Sequence, residues 1–198
     1  MSDLTRRDAL RKLAVGGAAA ATAPFWVEAL VSAAEQHAAH YQKAAAGAAV
    51  WKPKVLSAAQ NKSVTTIAEL IIPQTETAGA TKAKVNEFID SVLADAKAED
   101  RQKFLEGLAW IDTRSRADNG AAFVDAPADK QVALLTVLSM NKTPSPADQP
   151  GTDFFTAMKS MTVTGYYTSE IASREELGDD GQMFFTEFKG CTHPEHQK

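Results

Sequence analysis

The sequence predicts an all-α fold: a compact bundle of five or six helices with an extended C-terminal tail. Three observations carry that expectation. Apolar residues recur at offsets of three and four through most of residues 56–168. Cap and stop residues stand at the ends of these runs. No run combines apolar–polar alternation with flanking turn residues, as a half-buried strand would. The 198 residues suffice for one domain with a sizeable core. The composition, 44% hydrophobic and 23% charged, is that of an ordinary globular chain.

The N-terminus reads as an address. Arg6, Arg7, Arg11 and Lys12 precede the apolar run Leu13–Ala23, a basic region followed by a short apolar one. That run has about 11 residues, against the roughly 20 of a spanning helix. Arg6 and Arg7, with Leu10 three positions on, resemble a twin-arginine translocation signal, although Ala9 stands where an aromatic is usual. Ala21-Thr22-Ala23 has the small-x-small form of a cleavage site, but Pro24 follows it, and Val31-Ser32-Ala33 is the better candidate. Residues 1–33 are thus expected to form the export signal, and 34–198 a single helical domain. The signal holds four bases and three acids, leaving 17 bases and 22 acids. A mildly acidic body with scattered bases argues against nucleic-acid binding.

Residues 34–54 are alanine-rich and predict a helix with a loose connection to Pro53. His37 and His40 lie three apart on it and read as surface histidines, because a metal site needs further ligands nearby. Ser57 and Gln60 form a capping box at the next helix, whose buried face carries Val64, Ile67, Ala68 and Ile71. Pro73 ends that helix, and Gly79 is the most permissive point of the polar turn that follows. Val85, Phe88, Ile89, Val92, Leu93 and Ala96 then share one helix face.

A further helix is expected from about Glu99 to Ala117, with Phe104, Leu105, Leu108 and Ile111 on its stripe and Asn119-Gly120 as its stop. Trp110 lies off the stripe and faces a second neighbour or a partner. Asp125-Ala126-Pro127 opens a helix that is apolar nearly all round, at Val132, Leu134, Leu135, Val137 and Leu138, and is therefore expected at the centre. Thr152 or Asp153 can cap the helix that carries Phe154, Phe155, Met158 and Met161. It leads into Gly165-Tyr166-Tyr167-Thr168-Ser169, which suits either a packed helix end or a contact surface. In the tail after Arg174, Met183, Phe184, Phe185 and Phe188 form an apolar cluster that can wrap the chain's own core or a partner.

Two of these stretches, Ala68 to Asp90 and Met161 to Ser169, resemble the gluconate 2-dehydrogenase subunit 3 family. The resemblance spans about residues 56–93 and 150–170, and the helices between fit it in order and length. It implies the small, non-catalytic subunit of a membrane-associated flavin dehydrogenase acting on sugars or sugar acids. Its partners would be a large FAD-containing catalytic subunit, a cytochrome c subunit or another electron acceptor, and the twin-arginine translocase. FAD would sit in the partner, and this chain would bind no cofactor. The subunit would support maturation and export of the catalytic subunit, and it would act in the periplasm or at the periplasmic face of the inner membrane. Gly165, Tyr166, Tyr167, Phe184, Phe185 and Phe188 are the expected partner contacts.

Little else in the chain suggests chemistry. It has one cysteine, so it cannot form an intrachain disulfide or carry a covalently attached haem c. It contains no glycine-rich dinucleotide fingerprint and no P-loop. Cys191, His193 and His196 cluster in one short tail; a metal-handling or other stand-alone periplasmic binding protein built on them is the alternative reading. Glu69, Glu76, Glu87 and Asp90 read as solvated acids rather than an acid–base pair. No nucleophile is marked out by a neighbouring base.

Overall fold

A computed structural model of the chain describes residues 24–44, 51–141 and 143–179. The described residues form seven α-helices and one turn of 3₁₀ helix, with no strand among them. They are α1 (Phe25–Ala44), α2 (Ala58–Ile71), α3 (Val85–Asp95), α4 (Ala98–Asn119), α5 (Ala128–Met140), α6 (Gln149–Tyr167) and α7 (Glu170–Glu176), with the 3₁₀ turn at Phe123–Asp125. α6 packs against each of the other helices, most extensively α1 and α4. No residue from Gly151 to Ser169 is fully exposed. The centre of the bundle is therefore α6 rather than α5, where the sequence put it.

α1 begins earlier than expected. Pro24 has no N–H to place in a helix, but its carbonyl accepts the N–H groups of Val27 and Glu28 at 2.9 and 3.3 Å. Trp26, Val27, Leu30 and Ala34 then form a buried stripe, with Val31, Ala33 and Ala38 partly buried beside it. The expected boundary between residues 33 and 34 falls in the middle of this helix. His37 is not a free surface histidine: its Nε2 lies 2.7 Å from Asp95 Oδ2 and ties α1 to α3.

α2 starts as the sequence indicates. Ser57 Oγ accepts the Gln60 N–H at 3.2 Å and Gln60 Oε1 accepts the Ser57 N–H at 2.9 Å. The turn after Pro73 is organised by Glu69, whose carboxylate accepts the N–H groups of Gln74 and Thr81 at 2.8 and 2.9 Å. Gly79 serves this turn through its size. A Cβ there would run into the Glu69 carboxylate. The left-handed position is Lys84, with φ 56°, one residue before α3.

α4 ends at Gly120, which takes φ 74° and donates its N–H to Arg116 at 2.9 Å. Trp110 on α4 meets a neighbour within the chain: its ring covers Gly151 of α6, and its Nε1 donates to the Ala147 carbonyl at 2.9 Å. α6 starts at Gln149, not at Thr152 or Asp153. Pro150 suits the first turn, and the preceding loop is fixed by Ser145, whose hydroxyl bonds Asp148 Oδ2 at 2.9 Å. Thr152 caps nothing, and its buried hydroxyl finds no partner among the described residues.

Candidate partner-docking face

Three of the expected contact residues are placed by the structure, and they turn largely inward. Gly165 is buried under the Phe88 ring of α3. Tyr166 is fully buried, and its hydroxyl donates to the Ala78 carbonyl at 2.7 Å, with Glu176 Oε1 3.2 Å away. Glu176 also accepts the Thr77 hydroxyl at 2.7 Å, and Glu175 accepts the Ala78 N–H at 2.8 Å. These bonds fasten the turn after Pro73 to α6 and α7. Tyr167 is half-buried and meets Tyr166 edge-on, with centroids 5.2 Å apart. The glycine–tyrosine signature is thus internal framework. Phe184, Phe185 and Phe188, the signal residues Arg6, Arg7 and Leu10, and the Cys191–His196 cluster all lie outside the described residues.

The face that does look outward belongs to α5. Gln131, Leu135 and Leu138 form its inner stripe. Gln131 is held there by donating from Nε2 to the Phe123 carbonyl at 2.7 Å. That register turns Val132, Ala133, Thr136, Val137, Ser139 and Met140 outward. Val137 is 60% exposed and Met140 71%. This outer face carries no charge from Gln131 to Met140, whereas a helix edge left to solvent is ordinarily rich in charged side chains. The expectation of a central helix came from the correct observation that α5 is apolar all round. Among the described residues, only one side of it is covered.

The acids show no convergence on a reactive centre. Glu76 is exposed at the tip of the turn, and Glu69 is occupied by backbone N–H groups. Asp90 departs from the expectation of a solvated acid. It is buried, and its carboxylate accepts the N–H groups of Lys54, Val55 and Leu56 at 2.7, 3.0 and 2.9 Å. Its signal in the sequence was an acid set among Phe88, Ile89, Val92 and Leu93. On α6, burial pushes the Asp153 carboxyl up from its ordinary pKa, partly offset by the bond it accepts from Gln149. Burial pushes the Lys159 ammonium down. Among the described residues, no group of three or more His, Cys, Asp or Glu side chains is placed to hold a metal ion. No described helix is long and apolar enough to cross a membrane.

A helical bundle with an apolar face exposed among the described residues can be set beside one result from comparison with known proteins. The sequence pattern of one family, gluconate 2-dehydrogenase subunit 3, matches residues 58–180. The chain belongs to that family. The match runs from α2 past the end of α7, so it covers α5 and the Tyr166 network. α1 lies outside it, yet contributes to the same core. No curated protein and no solved structure matches the chain. The family description makes this protein one subunit of a dehydrogenase.

Proposed function

We propose that this subunit 3-family chain is the non-catalytic small subunit of a flavin-dependent sugar or sugar-acid dehydrogenase. It binds a large FAD-containing catalytic subunit, supports its maturation, and carries the twin-arginine signal, Arg6, Arg7 and Leu10, that takes both across the membrane. The complex then works in the periplasm or at the periplasmic face of the inner membrane, and a cytochrome c subunit receives the electrons. FAD belongs to the partner, and this chain contributes no cofactor-binding residue.

The observation that carries this reading is the charge-free outer face of α5. Apolar area withdrawn from water stabilises association by about 25 cal/mol per Å² before its costs. Val132, Val137 and Met140 are exposed among the described residues, and a partner seated on them would supply that gain. The family is named for a subunit of gluconate 2-dehydrogenase, which supports another subunit of a dehydrogenase as the partner, and we take that subunit to be the large flavin-containing one.

The test is co-expression with the flavin subunit and recovery through a C-terminal tag on this chain. The two should come out in equal amounts. Changing Val137→Asp and Met140→Asp together should lower recovery of the flavin subunit by about tenfold or more, the scale of a buried apolar anchor. The chain's own melting temperature should not move. Full recovery of the flavin subunit with the doubly substituted chain would remove α5 from the interface. Replacing Arg6 and Arg7 with Lys should leave both subunits in the cytoplasm, and a flavin subunit still found in the periplasm would end the escort reading.

A further inference from the structure

The small-residue run Val31-Ser32-Ala33 looks like a processing site in one dimension and not in three. Residues 31–33 lie inside α1, more than one helical turn from its start. Their backbone groups belong to the helix, and Val31 and Ala33 are partly buried against the core. A processing protease reads a few residues in extended conformation, so it cannot read these while α1 is docked. Hydrolysis of the Ala33–Ala34 bond would also detach Trp26, Val27 and Leu30, three of the four residues of the buried stripe. α6, α3 and α4 would lose the surface that α1 covers.

The border between address and body has a visible marker upstream. Pro24 supplies carbonyl acceptors to the first turn of α1 and has no N–H that would let a helix continue through it from the N-terminal side without a break. Phe25, directly after it, is 91% exposed, whereas Trp26 and Val27 are buried. The change from an exposed to a buried position therefore falls between Phe25 and Trp26.

We propose that α1 is a permanent part of the folded subunit, that the leader ends ahead of Pro24, and that the Ala33–Ala34 bond is not its processing site. The inference rests on the reading of residues upstream of Pro24 as an export leader, and it moves the end of that leader by ten residues. Its consequence for the complex is that the exported subunit keeps α1, and the leader is joined directly to the bundle core instead of through a spare segment.

Two measurements test it. The complex is purified from the periplasm, and the first residue of this chain is read by intact mass and N-terminal sequencing. A first residue at or before Pro24, an uncut leader included, is expected, and any later one overturns the proposal. A chain found only in the cytoplasm would defeat the export reading, so a second arm uses the full chain purified from the cytoplasm. Leu30→Ala should lower its melting temperature by about 8 °C, as a buried leucine truncation does in a chain of this size. Phe25→Ala should change it by less than about 2 °C, the ordinary range for an exposed position. Equal melting temperatures for Leu30→Ala and the parent chain would show that α1 is not docked, and would overturn the proposal whatever happens in export.

Discussion

The Asp90 carboxylate receives three backbone N–H groups from one short bend, Lys54 to Leu56. The arrangement fastens the entry to α2 onto α3 with a side chain that has no exposure to water. A buried acid tolerates such a position when its lone pairs are filled. Asp90→Asn keeps the shape but turns an amide NH₂ toward one of the three donors. Lys54 N–H, bonded to Oδ2, then faces a donor instead of an acceptor. The expected loss is about 2 kcal/mol, the scale of a buried donor left unpaired, read as a lower urea midpoint at unchanged slope. An unchanged midpoint would mean that the segment is held by something other than this carboxylate. Tyr166 works on the same scale. Its hydroxyl fixes the Ala78 carbonyl from inside, which is why a residue that suits a contact surface by type is absent from one here.

At the scale of the element, contact between helices is governed by where a side chain is missing. Gly165 lets α6 approach Phe88 so closely that an added Cβ would lie 2.6 Å from Cδ1 and 3.0 Å from Cγ. Gly107 of α4 makes the same allowance for Phe154, and Gly151 for the Trp110 ring. Phe88 is itself buried and has no open space to swing into. In Gly165→Ala the gain in helix propensity is about 1 kcal/mol, and overpacking of a rigid core costs about 3 kcal/mol at its upper end. The expected balance is destabilisation by about 1–2 kcal/mol, read by calorimetry. A rise in melting temperature would mean that α3 can move away from α6.

The comparison of α5 with α6 marks how far the sequence was legible. The helices themselves were, because spacing, Ser57 with Gln60, Pro73 and Asn119-Gly120 each act locally. Which helix lies at the centre was not. α5 has apolar residues on every side and sits at the edge; α6 carries Thr152, Thr156, Lys159, Ser160 and Thr164 on its outer side and is wrapped on all of them. Periodicity reports that one face is buried and is silent on what covers the other. The same gap separates the glycine–tyrosine segment from the docking face. Aromatic content suggested contact at Tyr166, and only the fold shows that its hydroxyl meets the Ala78 carbonyl and Glu176, while Gly165 beside it meets Phe88. The start of α1 was missed for a different reason: residues read as part of an address were withheld from the fold.

Over the whole molecule, stability should be graded outward from α6. A helix packed against all the others opens only when the bundle opens. Native-state hydrogen exchange should find the slowest amides between Phe154 and Thr162, near the rate set by global unfolding, with those of α7 and the Ser145–Asp148 turn faster. Slower exchange in α2 than in α6 would mean that the core is organised around a different helix. The charge-free face of α5 should exchange faster in the isolated chain than in the complex, since the described residues cover α5 on one side only.

The position of α6 has a consequence in time as well as in space. α1 packs most extensively against a helix that begins 105 residues after its own end, at Gln149. A ribosome delivers the chain N-terminus first, at about 5–20 residues per second. α1 therefore emerges several seconds before the element that gives it its main support exists. Through that interval five helices share a core with no centre, and only the arrival of α6 lets them close around it. Assembly of this bundle is thus a late event in its synthesis, and α1 waits without its main support until nearly the whole chain is made.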